Sequence, residues 1–202
     1  MTKRIQIQTF LLANGALSGD GTELEIRKQL LQNHIVEAIV ILPHKMFYST
    51  DISVTLWILN NNKKARTIEQ NGKMVKYRNR EDEVLFIDLR LWGEPFEKKY
   101  VQFPVEQIQK VAQNFHNWQR EGYEKSYHNE AGYCYSATTK EIEAKGWSLV
   151  PSKYIEFKGT AEEIDYDGKM KQIQSELRDL LVKEEESKKE LKTLFEKLGY
   201  GI

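Results

Sequence analysis

Two apolar runs that do not alternate with polar residues dominate the first third of the chain: Ile35-Val36-Glu37-Ala38-Ile39-Val40-Ile41-Leu42 and Val54-Thr55-Leu56-Trp57-Ile58-Leu59. β-Branched runs of this length predict strands covered on both faces, and hence a layered α/β core. Ahead of them, Asp20-Gly21 breaks the chain and Thr22-x-x-Glu25 has the form of a capping box, predicting a helix with Ile26, Leu30 and Leu31 facing inward. After them, Asn71-Gly72 predicts a tight turn within a long polar hairpin or loop, followed by a strand from Val84 to Leu89. Pro104 then opens a helix on which Val105, Ile108, Val111, Ala112, Phe115 and Trp118 mark one buried stripe. Thr138-x-x-Glu141 caps a short helix that Gly146-Trp147 ends.

The last forty residues change character. Met170, Ile173, Leu177, Leu180, Leu191, Leu194 and Leu198 keep an alternating spacing of three and four among charged residues, with Glu184 and Ser187 on the same seam midway. This predicts a long helix that meets another helix through Ile173, Leu177, Leu180, Leu191, Leu194 and Leu198, whether on a partner, on a second copy or back on its own domain.

Between the two apolar runs lies Pro43-His44-Lys45-Met46-Phe47-Tyr48-Ser49-Thr50-Asp51. Loops that leave the carboxyl ends of strands in an open α/β sheet line the ligand crevice, so adjacent aromatics in this position are candidates for ligand contact. Spacing alone reads Phe47 as a hydrophobic plug at least as readily as a binding residue. From Asn60 to Arg80 the cations Lys63, Lys64, Arg66, Lys73, Lys76, Arg78 and Arg80 face Glu69 as the only acid. That segment reads either as a solvated tip or as a phosphate contact.

The blocks L-L-A-N-G-A-L-S, E-I-R-K-Q-L-L, V-E-A-I-V-I-L-P-H-K-M-F-Y-S-T and V-T-L-W-I-L-N, in this order, resemble the later half of the modification subunit of type I restriction-modification systems, an adenine-specific DNA methyltransferase. The likeness continues through Val84-Leu85-Phe86-Ile87-Asp88 and Ser148 to Ile155, so it spans most of residues 10–157. It implies an α/β fold formed by the C-terminal half of a Rossmann-like methyltransferase sheet (its last three strands), followed by a helical region and a long C-terminal helix. The corresponding division is a partial methyltransferase core over 1–100, a helical and loop extension over 101–158 and a partner-docking helix over 159–202. In that family an aromatic residue after the strand stacks on the extruded adenine, and the matching residue is Phe47; His44 and Lys45 beside it, and Lys63, Lys64 and Arg66 in the basic segment, are candidate DNA contacts by position and charge. An extruded base loses its stacking partners, and an aromatic face replaces part of that energy.

The resemblance also implies S-adenosylmethionine as cofactor of the complete enzyme, and DNA, a specificity subunit and a restriction subunit as partners. The family's Gly-rich donor turn and Asn-Pro-Pro-aromatic tetrapeptide do not occur here, because Pro43, Pro95, Pro104 and Pro151 are never adjacent. This chain alone is therefore expected to carry no catalytic residue, to bind no cofactor and to leave DNA unmethylated. The strand from Ile5 to Ala13, without its usual neighbour, is expected either to pair between two copies through its open edge or to be disordered, with Arg4, Gln6 and Gln8 as limited protection. The alternative is a non-enzymatic α/β module that displays the terminal helix to a partner.

Composition narrows these readings only slightly. Thirty basic and thirty acidic residues leave no net charge, so any DNA affinity is local rather than a property of the whole domain. One cysteine, Cys134, forbids an internal disulfide, and with His128 it makes no metal signature, so no metal site is expected. Apolar stretches are strand length and the start lacks a signal-type segment, which leaves no membrane span and makes the cytoplasm the default.

Overall fold

Five strands form one mixed sheet in the order β1-β3-β2-β6-β9: β1 (Ile7–Ala13), β2 (Val36–Ile41), β3 (Val54–Asn60), β6 (Glu83–Asp88) and β9 (Cys134–Thr138). The coordinates are a computed structural model that describes residues 7–97, 99–156 and 166–200. β3 pairs antiparallel with both β1 and β2, so those two outer strands run the same way. β2 pairs parallel with β6, and β9 closes the far side antiparallel to β6. Every residue of β2 is buried, which is why its sequence lacks alternation.

Each face of the sheet buries its own cluster. On one side Val36, Ile39, Trp57, Val84 and Phe86 pack beneath Leu31 of α1 (Thr22–Gln32), Ile142 of α3 (Thr139–Ala144), Leu149 and Tyr154, whose ring stacks on Phe86 at 4.3 Å. On the other, Ala38, Val40, Leu42, Leu85 and Ile87 meet Trp118 of α2 (Val105–Gln119). Val36 and Ile39 share a face although they are three apart, because the β2–β3 register shifts between Val36 and Ala38. Glu37 is the additional residue of that bulge, and its side chain is wholly buried.

Two hairpins stand outside the sheet. β4 (Arg66–Gln70) and β5 (Lys73–Tyr77) join through Asn71 and Gly72, whose φ values of 52° and 72° are those of the expected tight turn. β7 (Glu94–Phe96) and β8 (Tyr100–Gln102) follow Gly93. Gly93 has φ +91°, and a methyl group there would overlap Val101 Cγ1 and lie 3.1 Å from the Gln102 carbonyl oxygen.

Several local expectations need correction. The Thr22-x-x-Glu25 box does not form: Gly21 occupies the N-cap and no side chain caps the helix. Ile26 is exposed, and the inward position belongs to Arg27, which donates to the carbonyls of Ala16 (3.1 Å), Gly19 (2.6 Å) and Trp147 (3.3 Å). Pro104 is the N-cap of α2 rather than its first residue, and Val105 and Ile108 are exposed at the start of the expected buried stripe. The Thr138–Glu141 capping box is present on α3. Cys134–Thr138 is a strand beyond those expected from sequence, and it completes the five-stranded sheet.

The amino-terminal segment is an ordered strand over residues 7–13, not a disordered one; Ile5, Gln6 and Arg4 lie outside the described residues. Contacts place residues 1–158 in one unit and residues 159–202 in another. The second unit holds α4 (Tyr166–Lys197), a 32-residue helix about 48 Å long at 1.5 Å per residue. No helix among the described residues is long and apolar enough to cross a membrane.

Candidate nucleic-acid interface

The turn between β2 and β3 is built from the strand ends outward. Leu42 and Pro43 are still buried, and the Leu42 amide donates to Val54 O at 2.9 Å while Ser53 Oγ donates to Leu42 O. The chain then turns away at Lys45, with φ 60°, and a bridge between Phe47 and Thr50 closes the tip. From the side, Val101 of β8 donates its amide to Lys45 O at 2.9 Å, so the β7–β8 hairpin braces the turn.

The three large side chains of the turn separate. Met46 and Phe47 are half-buried against the second core cluster, whereas Tyr48 is 73% exposed and meets Tyr100 edge-on at 4.5 Å. Phe47 is thus neither sealed beneath the sheet nor fully presented. Beside the turn, at the carboxyl ends of the parallel strands β2 and β6, lies a cavity of about 350 Å³ lined by His44, Asp88, Arg90, Leu91, Trp92 and Gly132. Asp88 is almost wholly buried and accepts from Arg90 Nε at 3.1 Å and Nη2 at 2.7 Å. These bonds hold the Arg90 guanidinium above its ordinary range, against the burial that opposes it. Trp92 stacks on Tyr133 at 4.8 Å, and Lys110 Nζ lies 5.0 Å from the Trp92 ring.

Asp88, Arg90 and Trp92 were not singled out from sequence, although an acid and an arginine two apart at the end of an apolar strand was the available signal. Of the expected contacts, the structure puts His44 in this cavity and leaves Lys45 exposed at its rim of the turn.

Lys63, Lys64 and Arg66 lie elsewhere. β3 runs back across the sheet, so these residues stand at its opposite end, about 20 Å from the turn for a seven-residue strand. Lys63 is not a surface cation: it is 2% exposed, and its ammonium donates to Val36 O at 2.7 Å and Glu83 O at 2.6 Å, tying the starts of β2 and β6 together. Burial pushes that ammonium down to about 8, with Glu37 pulling the other way. Beside it, Glu37 accepts from Arg80 Nε (2.9 Å), Asn60 Nδ2 (2.6 Å) and Gln119 Nε2 (3.0 Å), all inside the protein. Arg66 donates to Asn62 O at 2.6 Å and lies over the Tyr77 ring at 4.6 Å, while Lys64 remains exposed. The basic hairpin and the aromatic turn therefore do not form one site.

The seam residues Ile173, Leu177, Leu180, Leu191 and Leu194 of α4, and Leu198 in the turn just after it, are all more than half exposed. Cys134 is buried, which pushes its thiol up and away from reactivity. Among the described residues no group of three or more potential ligand side chains is placed to hold a metal ion.

The family model for N-6 DNA methylases matches residues 7–163, well over half of the chain. The chain belongs to the N-6 DNA methylase family. Across 197 residues it is 36% identical to the HindI methylase subunit of a type I restriction enzyme of Haemophilus influenzae, a match covering 94% of the methylase chain and 39% of that protein. It is 31% identical over 191 residues to the MjaIX methylase subunit of Methanocaldococcus jannaschii, covering 95% and 32%. The chain thus spans about a third to two fifths of the length of these relatives. In fold it is similar to the type I restriction-modification methyltransferase subunit from Streptococcus thermophilus, with a TM-score of 0.57 at 21% identity, covering 75% of the methylase chain and 26% of the other.

The family uses S-adenosylmethionine as its methyl donor. The glycine-bearing turn that leads from β1 towards α1 is braced from within by the Arg27 guanidinium, a cation that donates to the Ala16, Gly19 and Trp147 carbonyls. Those residues do not fit S-adenosylmethionine, and no step of methyl transfer is assigned to them.

Proposed function

We propose that this methylase chain is the later portion of a type I adenine-specific DNA methyltransferase subunit, supplying the contact to the extruded base and the docking of a specificity subunit to an assembly that brings the donor and catalytic groups. The observation that carries the reading is the position of the Phe47 turn: it leaves the carboxyl end of β2, half-exposed, beside the cavity of His44, Arg90 and Trp92. An adenine drawn from the duplex needs an aromatic face and exclusion of water, and Phe47 on a core-anchored turn offers both. His44 and Lys45 stand where the flanking backbone would pass. Lys64 and Arg66, at the far end of the sheet, are available to a separate stretch of DNA; Lys63 acts inside the fold instead. Donor binding and chemistry lie with the rest of the assembly, so the chain alone transfers no methyl group.

The test is Phe47→Ala in an assembly reconstituted with polypeptides that carry the donor site and the specificity function. With 2-aminopurine at the target adenine, the wild type should raise its fluorescence on binding and the variant should not, and methylation should fall in parallel. Unchanged methylation by Phe47→Ala would remove the residue from the site.

A second reading has its own support in α4, whose apolar seam is exposed along the helix. Under it the α/β unit serves to present that seam to a partner, and the turn plays no part in DNA contact.

A further inference from the structure

β1 is the least protected strand of the sheet. It stands at one end of the strand order, so among the described residues no strand pairs with its outer edge. Edges that face water are ordinarily blunted by charge or proline, and Ile7–Ala13 carries neither, although six of its seven residues are exposed. Its side chains also continue an apolar strip across the sheet. Residues directly opposite in an antiparallel pair share a face, so Leu11 lies with its partner Leu56, and Thr9 with Ile58, on the α2 side. Leu56 and Ile58 in turn line an open cavity of about 370 Å³ whose other wall is α2, where Ile108 remains 54% exposed. Gln107 is the sole polar residue of that lining. Apolar surface running over three elements in this way marks an interaction site.

Two observations choose the occupant. A second copy paired edge to edge would extend the sheet in its own plane and satisfy the β1 backbone, yet leave the cavity open, because the cavity lies on a face. Covering both takes a strand with a helix packed over it, the unit from which layered α/β sheets are built. The relatives, moreover, carry three fifths or more of their length beyond the part that this chain matches. We propose that the strip from β1 to α2 is the docking surface for that remaining methylase portion, which adds a strand along β1 and seats the apolar face of a helix in the cavity. This rests on the reading of the chain as one portion of a methyltransferase. Met46, next to Phe47, lines the same cavity, so the docked helix bears on the base-contacting turn. β1 and β2 run the same way, so the Ala13 end of the docking edge and the turn stand at one end of the sheet. Groups that the docked portion carries there are brought to the side on which Phe47 stands.

The full chain is co-expressed with the part of the Haemophilus influenzae HindI methylase subunit that lies outside its match to this chain, the latter tagged for purification. The two should elute together with the mass of a one-to-one pair by light scattering, and hydrogen exchange at the β1 amides should slow in the complex. Leu11→Asp with Ile108→Asp should weaken the pairing about ten-fold or more, since a charge placed in an apolar contact has to be desolvated. Met74→Asp, on the exposed β4–β5 hairpin, should leave it unchanged. All these variants should unfold in urea as the wild type does, because Leu11, Ile108 and Met74 are exposed. Phe47→Ala should leave the pairing intact. Pairing that resists the Leu11 and Ile108 changes, with extrusion still dependent on Phe47, overturns the docking surface and spares the Phe47 reading; pairing that requires them, with methylation indifferent to Phe47, does the reverse. Absence of a complex, β1 amides that exchange equally fast within it, or a homodimer of the full chain that the same changes dissolve would each overturn the proposal.

Discussion

Replacing Arg80 with leucine leaves the Glu37 carboxylate inside the protein without its ion-pair partner. Both side chains are wholly inaccessible, and the Nε–Oε1 distance is 2.9 Å, so solvent cannot take over from the lost guanidinium. Asn60 and Gln119 still donate to the carboxylate, at 2.6 and 3.0 Å, but neither carries charge, and the nearby Lys63 ammonium is hydrogen-bonded to the Val36 and Glu83 carbonyls instead. Breaking one side of such a pair costs about 3–5 kcal/mol. Against a typical total of about 5–15 kcal/mol, that removes about a fifth or more of the stability of the α/β unit. With a urea dependence of about 2 kcal/mol per molar, the midpoint should fall by roughly 1.5–2.5 M. Tryptophan fluorescence is the appropriate probe, since Trp57, Trp92, Trp118 and Trp147 all precede residue 158 and report that unit alone. Adding Glu37→Gln to Arg80→Leu removes the stranded charge and should recover more than half of the loss. A cost for Arg80→Leu below about 1 kcal/mol would show that the carboxylate is reached by water and that the buried-charge argument is wrong.

Two further outcomes follow from the same structure. The Lys63 ammonium is held at about 8 against an ordinary 10.5, so the unfolded chain binds its proton more tightly; stability is lowest below pH 8 and rises above it. Between pH 7 and 9.5 the gain is about 2 kcal/mol, which urea titrations should detect and Lys63→Met should abolish; a flat profile in the wild type would contradict it. Leu191→Asp with Leu194→Asp should leave tryptophan-monitored unfolding unchanged, because both residues are exposed on α4. The pair should abolish co-purification with a specificity subunit, and retained co-purification would place the docking surface elsewhere.

Elements whose stability is local were readable from the sequence. The Asn71-Gly72 turn, the α3 capping box, the continuous strands around Ile39 and Trp57 and the long C-terminal helix each follow from short-range chemistry. What escaped was decided by tertiary partners. Arg27 took the inward face of α1 from Ile26 because three backbone carbonyls at the ends of the neighbouring loops needed donors. Glu37 looked like an interruption in an apolar strand, and only the bulge shows why a charge is tolerated there. Lys63 read as one more cation in a basic stretch, since nothing local announces that its ammonium will be enclosed. Cys134 to Thr138 alternates too briefly to separate a strand from a loop rich in tyrosine. At the site, the aromatic turn could be located, but the Asp88–Arg90 pair and Trp92 come from a loop some forty residues later that only the parallel pairing of β2 with β6 brings alongside.

The separation of the aromatic turn from the arginines behind it has an electrostatic consequence. About 20 Å is more than two screening lengths at physiological ionic strength, where the Debye length is about 8 Å. The potential felt at the turn is consequently set by its own neighbours, among which Arg90 is paired with Asp88. A molecule arriving there is therefore sorted by the rings and charges of the turn itself, and a substitution among the distant arginines would leave its reception unaltered.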